Sequence, residues 1–222
     1  MREVWLWWSS GKDSAWALHA LRRSDSHRVT RLLTTVNREF ERVAMHAVRV
    51  TLLEEQAAAA GLPVERVELP WPCSNAQYEA AVQPLLDAAV GAGVPCMAFG
   101  DLFLEDVRQY RMALLAGHPI EPVFPIWGLD TTALAHEMID AGLRAWVTCV
   151  DPRVLPRELA GRRYGRDFLE SLPDDVDPCG ENGEFHTFAA AGPMFQGEVA
   201  VEVGEIVERD GFVFADLRNA AT

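Results

Sequence analysis

Cysteine is scarce, 4 in 222 residues, and Cys73, Cys96, Cys149 and Cys179 form no C-x-x-C pair. That spacing removes the usual sequence support for a zinc site or a thioredoxin-like centre. Cys96 and Cys149 stand in apolar runs and read as inert core thiols, whereas Cys179 adjoins a polar, glycine-rich segment. No apolar run approaches the ~20 residues that a membrane helix needs, so no membrane partner is expected. The N-terminus lacks the long apolar core and small-residue cleavage site of a secretory leader, which makes the cytoplasm the expected location. Basic residues are outnumbered, 20 Lys and Arg against 33 Asp and Glu, for a formal charge of −13. So acidic a surface repels phosphate backbones, and nucleic acid is an unexpected partner. The Walker A pattern is missing as well.

What is present is a globular composition, 49% hydrophobic and 24% charged. Strand-like and helix-like segments alternate. Strands are expected at 4–8, 29–36, 64–69, 94–100 and 144–150, with a proline-bearing edge strand at 121–126. Helices are expected at 13–23, 47–60, 76–92, 103–116 and 131–141, several of them stopped by glycine. This rhythm predicts an α/β fold with a doubly wound parallel sheet, which binds ligands outside the carboxyl ends of its strands. After about Arg153 the rhythm breaks. Residues 156–172 look helical, 173–183 form a loop, and strands at 199–207 and 212–217 flank the hairpin turn Arg209-Asp210-Gly211. The expected division is a nucleotide-binding domain at 1–152 and a small C-terminal α+β substrate-binding subdomain at 153–222.

Three clusters follow strands. Ser9-Ser10-Gly11-Lys12-Asp13-Ser14 joins the first strand to the first helix. A helix N-terminus offers free N–H groups and partial positive charge to an anion, and Gly11 permits close backbone approach. The serines add hydroxyls and Lys12 a full charge. Gly100-Asp101 ends the fourth strand, and Glu105, Arg108 and Arg111 recur at helical spacing after it. The third cluster, Asp177 to Phe188, packs Glu181, Asn182, Glu184, His186 and Thr187 among glycines, a set able to hold Mg²⁺ or an amine and to move a proton near neutral pH. His46 precedes the second helix with weaker claims, and Trp71 and Trp127 follow strands and are candidate pocket walls.

The first cluster is a near match to the S-G-G-x-D-S loop of PP-loop ATP pyrophosphatases, with Ser10 where the pattern has glycine. That departure reads as mild, because serine tolerates most turn conformations other than positive φ. Together with Gly100–Arg111, Trp127 and Asp130, Glu137–Leu143 and Cys179–Thr187, it resembles the diphthine–ammonia ligase family, a Rossmann-like PP-loop branch, over most of the chain. The resemblance implies ATP and Mg²⁺ as cofactors, adenylation of a carboxylate, and amidation by ammonia. On that basis Ser9, Ser10, Gly11, Lys12, Asp13, Ser14 and Gly100 would hold ATP, and Asp13 also Mg²⁺. Lys12, Asp13, Arg108, Glu184 and His186 would carry the chemistry, and Asp101, Glu105, Glu181, Asn182 and Thr187 the substrate. Asn182 and His186 depart from the family's C-G-E-G-G-E-F-E-T. With a composition that suggests a GC-rich bacterial source, they point to a paralogue acting on a different small-molecule or protein carboxylate. A homodimer is plausible. The rival readings are a nucleotide-binding sensor without chemistry and a tRNA-modifying PP-loop enzyme.

Overall fold

The computed structural model describes residues 1–44 and 46–220. In chain order the elements are β1 (Arg2–Trp7), α1 (Lys12–Arg23), β2 (His27–Asn37), β3 (Arg42–Val43), α2 (Val50–Ala60), β4 (Val64–Leu69), α3 (Asn75–Gly91), β5 (Cys96–Ala98), α4 (Glu105–Leu115), β6 (Glu121–Val123), α5 (Thr131–Asp140), β7 (Arg144–Val150), β8 (Arg163–Tyr164), α6 (Arg166–Leu169), β9 (Phe185–Ala191), β10 (Val201–Arg209) and β11 (Phe212–Asn219). Local sequence explains many of their ends. The α2 helix stops at Gly61, whose φ of 66 lets its N–H cap the carbonyls of Ala57 and Ala58. A reciprocal Ser74–Gln77 capping box starts α3. Asp210 and Gly211, at φ 51 and 80, supply the two left-handed residues that a tight β10–β11 hairpin needs.

The first sheet is parallel at its centre. β1 lies between β2 and β5, β6 extends the β5 side as an edge strand, and β4 pairs with β2. Strands buried on both faces must be apolar throughout, and Val4, Leu6, Cys96, Met97 and Ala98 are fully buried. β3 pairs antiparallel with the last residues of β2, Val36 and Asn37. This is the expected α/β sheet with a β-rich C-terminal part, and the prolines of 121–126 sit at its edge.

One strand belongs elsewhere. β7, expected in the doubly wound sheet, pairs antiparallel with β8, β9 and β11 in a second sheet ordered β10-β11-β7-β8. An apolar run such as Val147 to Val150 is equally suited to either kind of buried strand, and periodicity does not name the partner. The second sheet therefore begins before residue 152. The helix expected over 156–172 is also replaced, by a single 3₁₀ turn at Arg157–Leu159, β8 and the one-turn α6. Gly161, at φ 81, breaks it. One continuous apolar core runs under both sheets, from Leu6 and Leu18 to Val147, Phe188 and Ala215. An ionic clasp adds to it: Asp216 on β11 bonds Arg42 of β3 at 2.7 Å, Arg49 beside α2 at 2.7 Å and Arg218 at 2.9 Å.

Candidate active site

The loop between β1 and α1 is built by restraint from several directions. Gln56, completely buried on α2, accepts the Trp8 indole N–H at 2.7 Å and donates to the carbonyls of Ser10 at 3.0 Å and Ala189 at 2.5 Å. Ala189 on β9 donates its own N–H to Ser10 O at 2.9 Å. Held this way, Ser10 takes φ 68. The departure from the glycine pattern is thus not mild, because serine occupies the one region it tolerates poorly. Its hydroxyl is buried and bonds to nothing among the described residues.

Helix geometry leaves the first four N–H groups of α1 without intrahelical partners. Gly11 N–H reaches Ser9 Oγ at 3.3 Å, and Lys12 N–H reaches Thr187 Oγ1 at 3.1 Å. Among the described residues, those of Asp13 and Ser14 bond to no other residue. Two glycines keep the approach open. A Cβ on Gly11 would lie 2.7 Å from His46 Cε1, and one on Gly100 would lie 3.0 Å from Ser14 N. The N–H groups of a helix start, with Ser9, Ser14 and Gly100 beside them, are what a phosphate group fits; the Ser10 hydroxyl is buried apart from them.

Lys12 does not extend towards solvent. Its side chain is 2% exposed, its ammonium meets the Asp13 carboxylate at 2.8 Å and the Cys179 carbonyl, and it lies 5.6 and 5.4 Å from the ring centres of Tyr164 and Phe185. Burial disfavours its charge, but Asp13, Cys179 and Glu181 outweigh burial and raise its pKa. Lys12 therefore ties the phosphate loop to the Cys179–Glu184 loop. Cys179 itself is buried and its thiol is pushed up to about 12, as is that of Cys149, so both are inert at neutral pH.

A cavity of about 980 Å³ opens in front of this loop, at the large end of ligand-pocket sizes. Ser9, Asp13, Gly100, Asp101, Glu181 and His186 all line it, and Trp71 does too. A model of the diphthamide synthase N-terminal domain matches residues 1–112, and one of the diphthamide synthase C-terminal domain matches residues 130–220. The chain belongs to the diphthamide synthase family. It is also similar to a diphthine–ammonia ligase of Danio rerio, 29% identical over 120 residues, or 51% of this chain and 47% of that protein. The chain thus matches about half the length of that relative.

The two family domains meet at this cavity, and the C-terminal one brings the Cys179–Thr187 segment to the phosphate loop. Glu181 accepts the Leu102 N–H at 2.7 Å, and burial pushes its carboxyl up to about 7. Asp101 pairs with Arg111 at 3.4 Å. His186 stacks on His46 with ring centres 4.6 Å apart. The His46 Nδ1 lies 3.0 Å from Thr187 O, so this nitrogen donates and Nε2 is left as the acceptor. Burial lowers His46 to about 4 and holds His186 well below its ordinary value. His186 is thus neutral at pH 7, not poised to titrate there as its sequence position suggested. His46 is the residue that sequence reasoning undervalued; its contacts with Gly11 and His186 depend on a turn that sequence spacing does not reveal.

Other expected site residues lie apart from the cavity. Glu105 and Arg108 pair with each other at 3.5 Å, and Arg108 stacks on Trp127 at 4.8 Å. Three-residue spacing does place Glu105 and Arg108 together on α4, but that face is turned to Trp127 and not to the cavity. Asp106, Val107, Tyr110 and Arg111 form the cavity side of α4 instead. Glu184 is buried; its Oε1 accepts the Asp177 N–H at 3.2 Å and the Asn182 amide at 3.0 Å, while Oε2 is buried without a partner among the described residues. Glu184 and Asn182 thus brace the loop that carries Glu181. Thr187 spends its oxygen on Lys12 N–H. No group of three His, Cys, Asp or Glu side chains converges as a metal site among the described residues.

Proposed function

We propose that this member of the diphthamide synthase family is an ATP-dependent ligase that adenylates a carboxylate and converts it to an amide with ammonia. The observation that carries the reading is the start of α1, with Ser9, Asp13 and Ser14, opening on a cavity shared with Glu181, His46 and His186. ATP supplies the adenylyl group: a carboxylate oxygen bonds the α-phosphorus as pyrophosphate leaves, then the ammonia nitrogen displaces AMP and loses a proton.

Ser9, Ser10, Gly11 and Ser14, with the N–H groups of Asp13 and Ser14, hold the pyrophosphate end. Asp13, now paired with Lys12, would be the carboxylate to hold a Mg²⁺ ion, which would supply positive charge to the phosphates; such a role needs only one or two carboxylates. The fixed donors and the positive end of α1 stabilise charge as it shifts onto the leaving pyrophosphate. Ammonium carries no lone pair, so the site must take up a proton before or during attack. The Glu181 carboxylate, titrating near neutrality, is the acceptor suited to that proton, and the neutral rings of His46 and His186 hold the nitrogen by hydrogen bonds. Catalytic weight leaves Lys12, Arg108 and Glu184, stays with His186 and extends to His46 and Glu181.

Incubation with Mg·ATP, ammonium and a panel of carboxylic acids, with products separated by chromatography, tests the reading. AMP and pyrophosphate formed only with one acid are expected. ADP and phosphate would remove the mechanism.

A further inference from the structure

The cavity has two electrostatic sides. Around the phosphate loop, carboxylates dominate: Asp13, Asp101, Asp106 and Glu181 against Lys12 and Arg111. On the side walled by the β10–β11 hairpin that excess disappears. Arg42 and Arg209 line the cavity there together with Asp210 and Asp216. Asp216 is already shared by Arg42, Arg49 and Arg218. Arg49 and Arg218 reach Asp216 from outside the cavity lining, so this carboxylate is more than neutralised and Arg209 is left facing the cavity beside Asp210 alone. A wall without the carboxylate excess of the phosphate-loop side can take an anion that the other side repels.

Two further observations separate Arg209 from the clasp. Its guanidinium lies 4.8 Å from the centre of the Phe40 ring and takes part in none of the clasp bonds. Phe40 in turn meets Trp71 edge-on at 6.2 Å, and both rings are more than a third exposed at the cavity. Stacking on an aromatic face fixes a guanidinium's orientation while leaving its N–H donors free for a carboxylate or phosphate. Arg42 faces the same space from β3 in the first sheet, so an anion held by both would bridge the two sheets.

We infer that the hairpin side of the cavity is a second anion site, separate from the phosphate loop, and that the acceptor is a small acid carrying a second anionic group, a carboxylate or a phosphate, which Arg209 and Arg42 bind. The inference rests on the ligase reading above. It makes the acceptor a molecule whose two ends are sorted by charge: one carboxylate at the α-phosphorus, the other anion anchored between β3 and the hairpin.

The test is calorimetric titration of the full chain, saturated with a non-hydrolysable ATP analogue and Mg²⁺, with acids matched in length. Adipate is compared with hexanoate, glutarate with pentanoate, and a butyrate bearing a terminal phosphate with butyrate itself. A doubly anionic acid is expected to bind at least tenfold more tightly than its matched monoacid, about 1.4 kcal/mol. Whether a diacid or the phosphate wins tells which anion the site takes. Arg209→Ala should abolish the advantage while binding the ATP analogue as before, and Arg209→Lys should retain part of it. Arg42→Ala opens the clasp as well, so the Arg209 variants carry the conclusion. Equal binding within every pair, no binding by any acid, or an advantage that survives Arg209→Ala overturns the second site while analogue binding persists. Loss of analogue binding in the unmodified chain would overturn the ligase reading itself, and this inference with it.

Discussion

Ser10 combines a left-handed backbone, at φ 68, with a buried hydroxyl that bonds to nothing among the described residues. The backbone conformation costs an L residue about 1–2 kcal/mol. Glycine would remove that cost and the unbonded hydroxyl, against about 0.5–1 kcal/mol for its freer unfolded chain. Ser10→Gly should therefore raise stability by about 1 kcal/mol, read as a higher urea midpoint at unchanged slope. A fall in midpoint would show that the hydroxyl has a partner in solution. The strain persists because Gln56, Ala189 and Thr187 fix the backbone on both sides of it. Strain of this kind collects where a site must be held ready, and here it sits in the loop proposed to hold phosphate.

At the scale of elements, the loop between α6 and β9 carries the most informative titration. Burial raises Glu181 from 4.5 to about 7. The folded state then binds this proton more tightly than the unfolded state. Its contribution is full below pH 4.5 and is lost as pH rises towards 7. Glu181→Gln keeps an acceptor for the Leu102 N–H and removes the titration. Relative to the native chain, the variant should gain stability across that window, by up to roughly 3 kcal/mol at pH 8. Urea unfolding at several pH values measures this, and a pH-independent difference between the two would refute it. Elements also mark where the sequence could be read. The strand–loop–helix order of 4–23 and the Asp210-Gly211 turn were legible, because apolar runs and positive-φ residues act locally. β9 was not: its alanines, Ala189 to Ala191, are weak strand formers, and only pairing with β7 makes them one. Arg108 misled because its spacing puts it on one helix face with Glu105 without telling which way that face turns, and His46 was undervalued because its partners lie 141 and 140 positions away in Thr187 and His186.

Across the whole molecule, the two sheets are joined by a shared core and by Asp216. Side-chain hydrogen bonds from Arg49, then Arg42 and Arg218, hold this carboxyl far below the ordinary carboxylate range, so its charge outlasts those of its neighbours as pH falls. Asp216→Asn would leave three guanidinium groups facing one another. The expected loss is about 2 kcal/mol, below the ~3–5 kcal/mol of a fully buried pair, because Arg49 and Arg218 are partly in water. A thermal midpoint lowered by several degrees, with the greatest effect at low salt, is the measurement; an unchanged midpoint would make the clasp ornamental. The bonds that finish the phosphate loop have a different consequence. Lys12 is secured by Thr187, 175 positions further along the chain, and Ser10 by Ala189. During synthesis this loop therefore waits unclosed until β9 has been made. A ligand that needs the closed loop cannot guide the folding of anything made before β9.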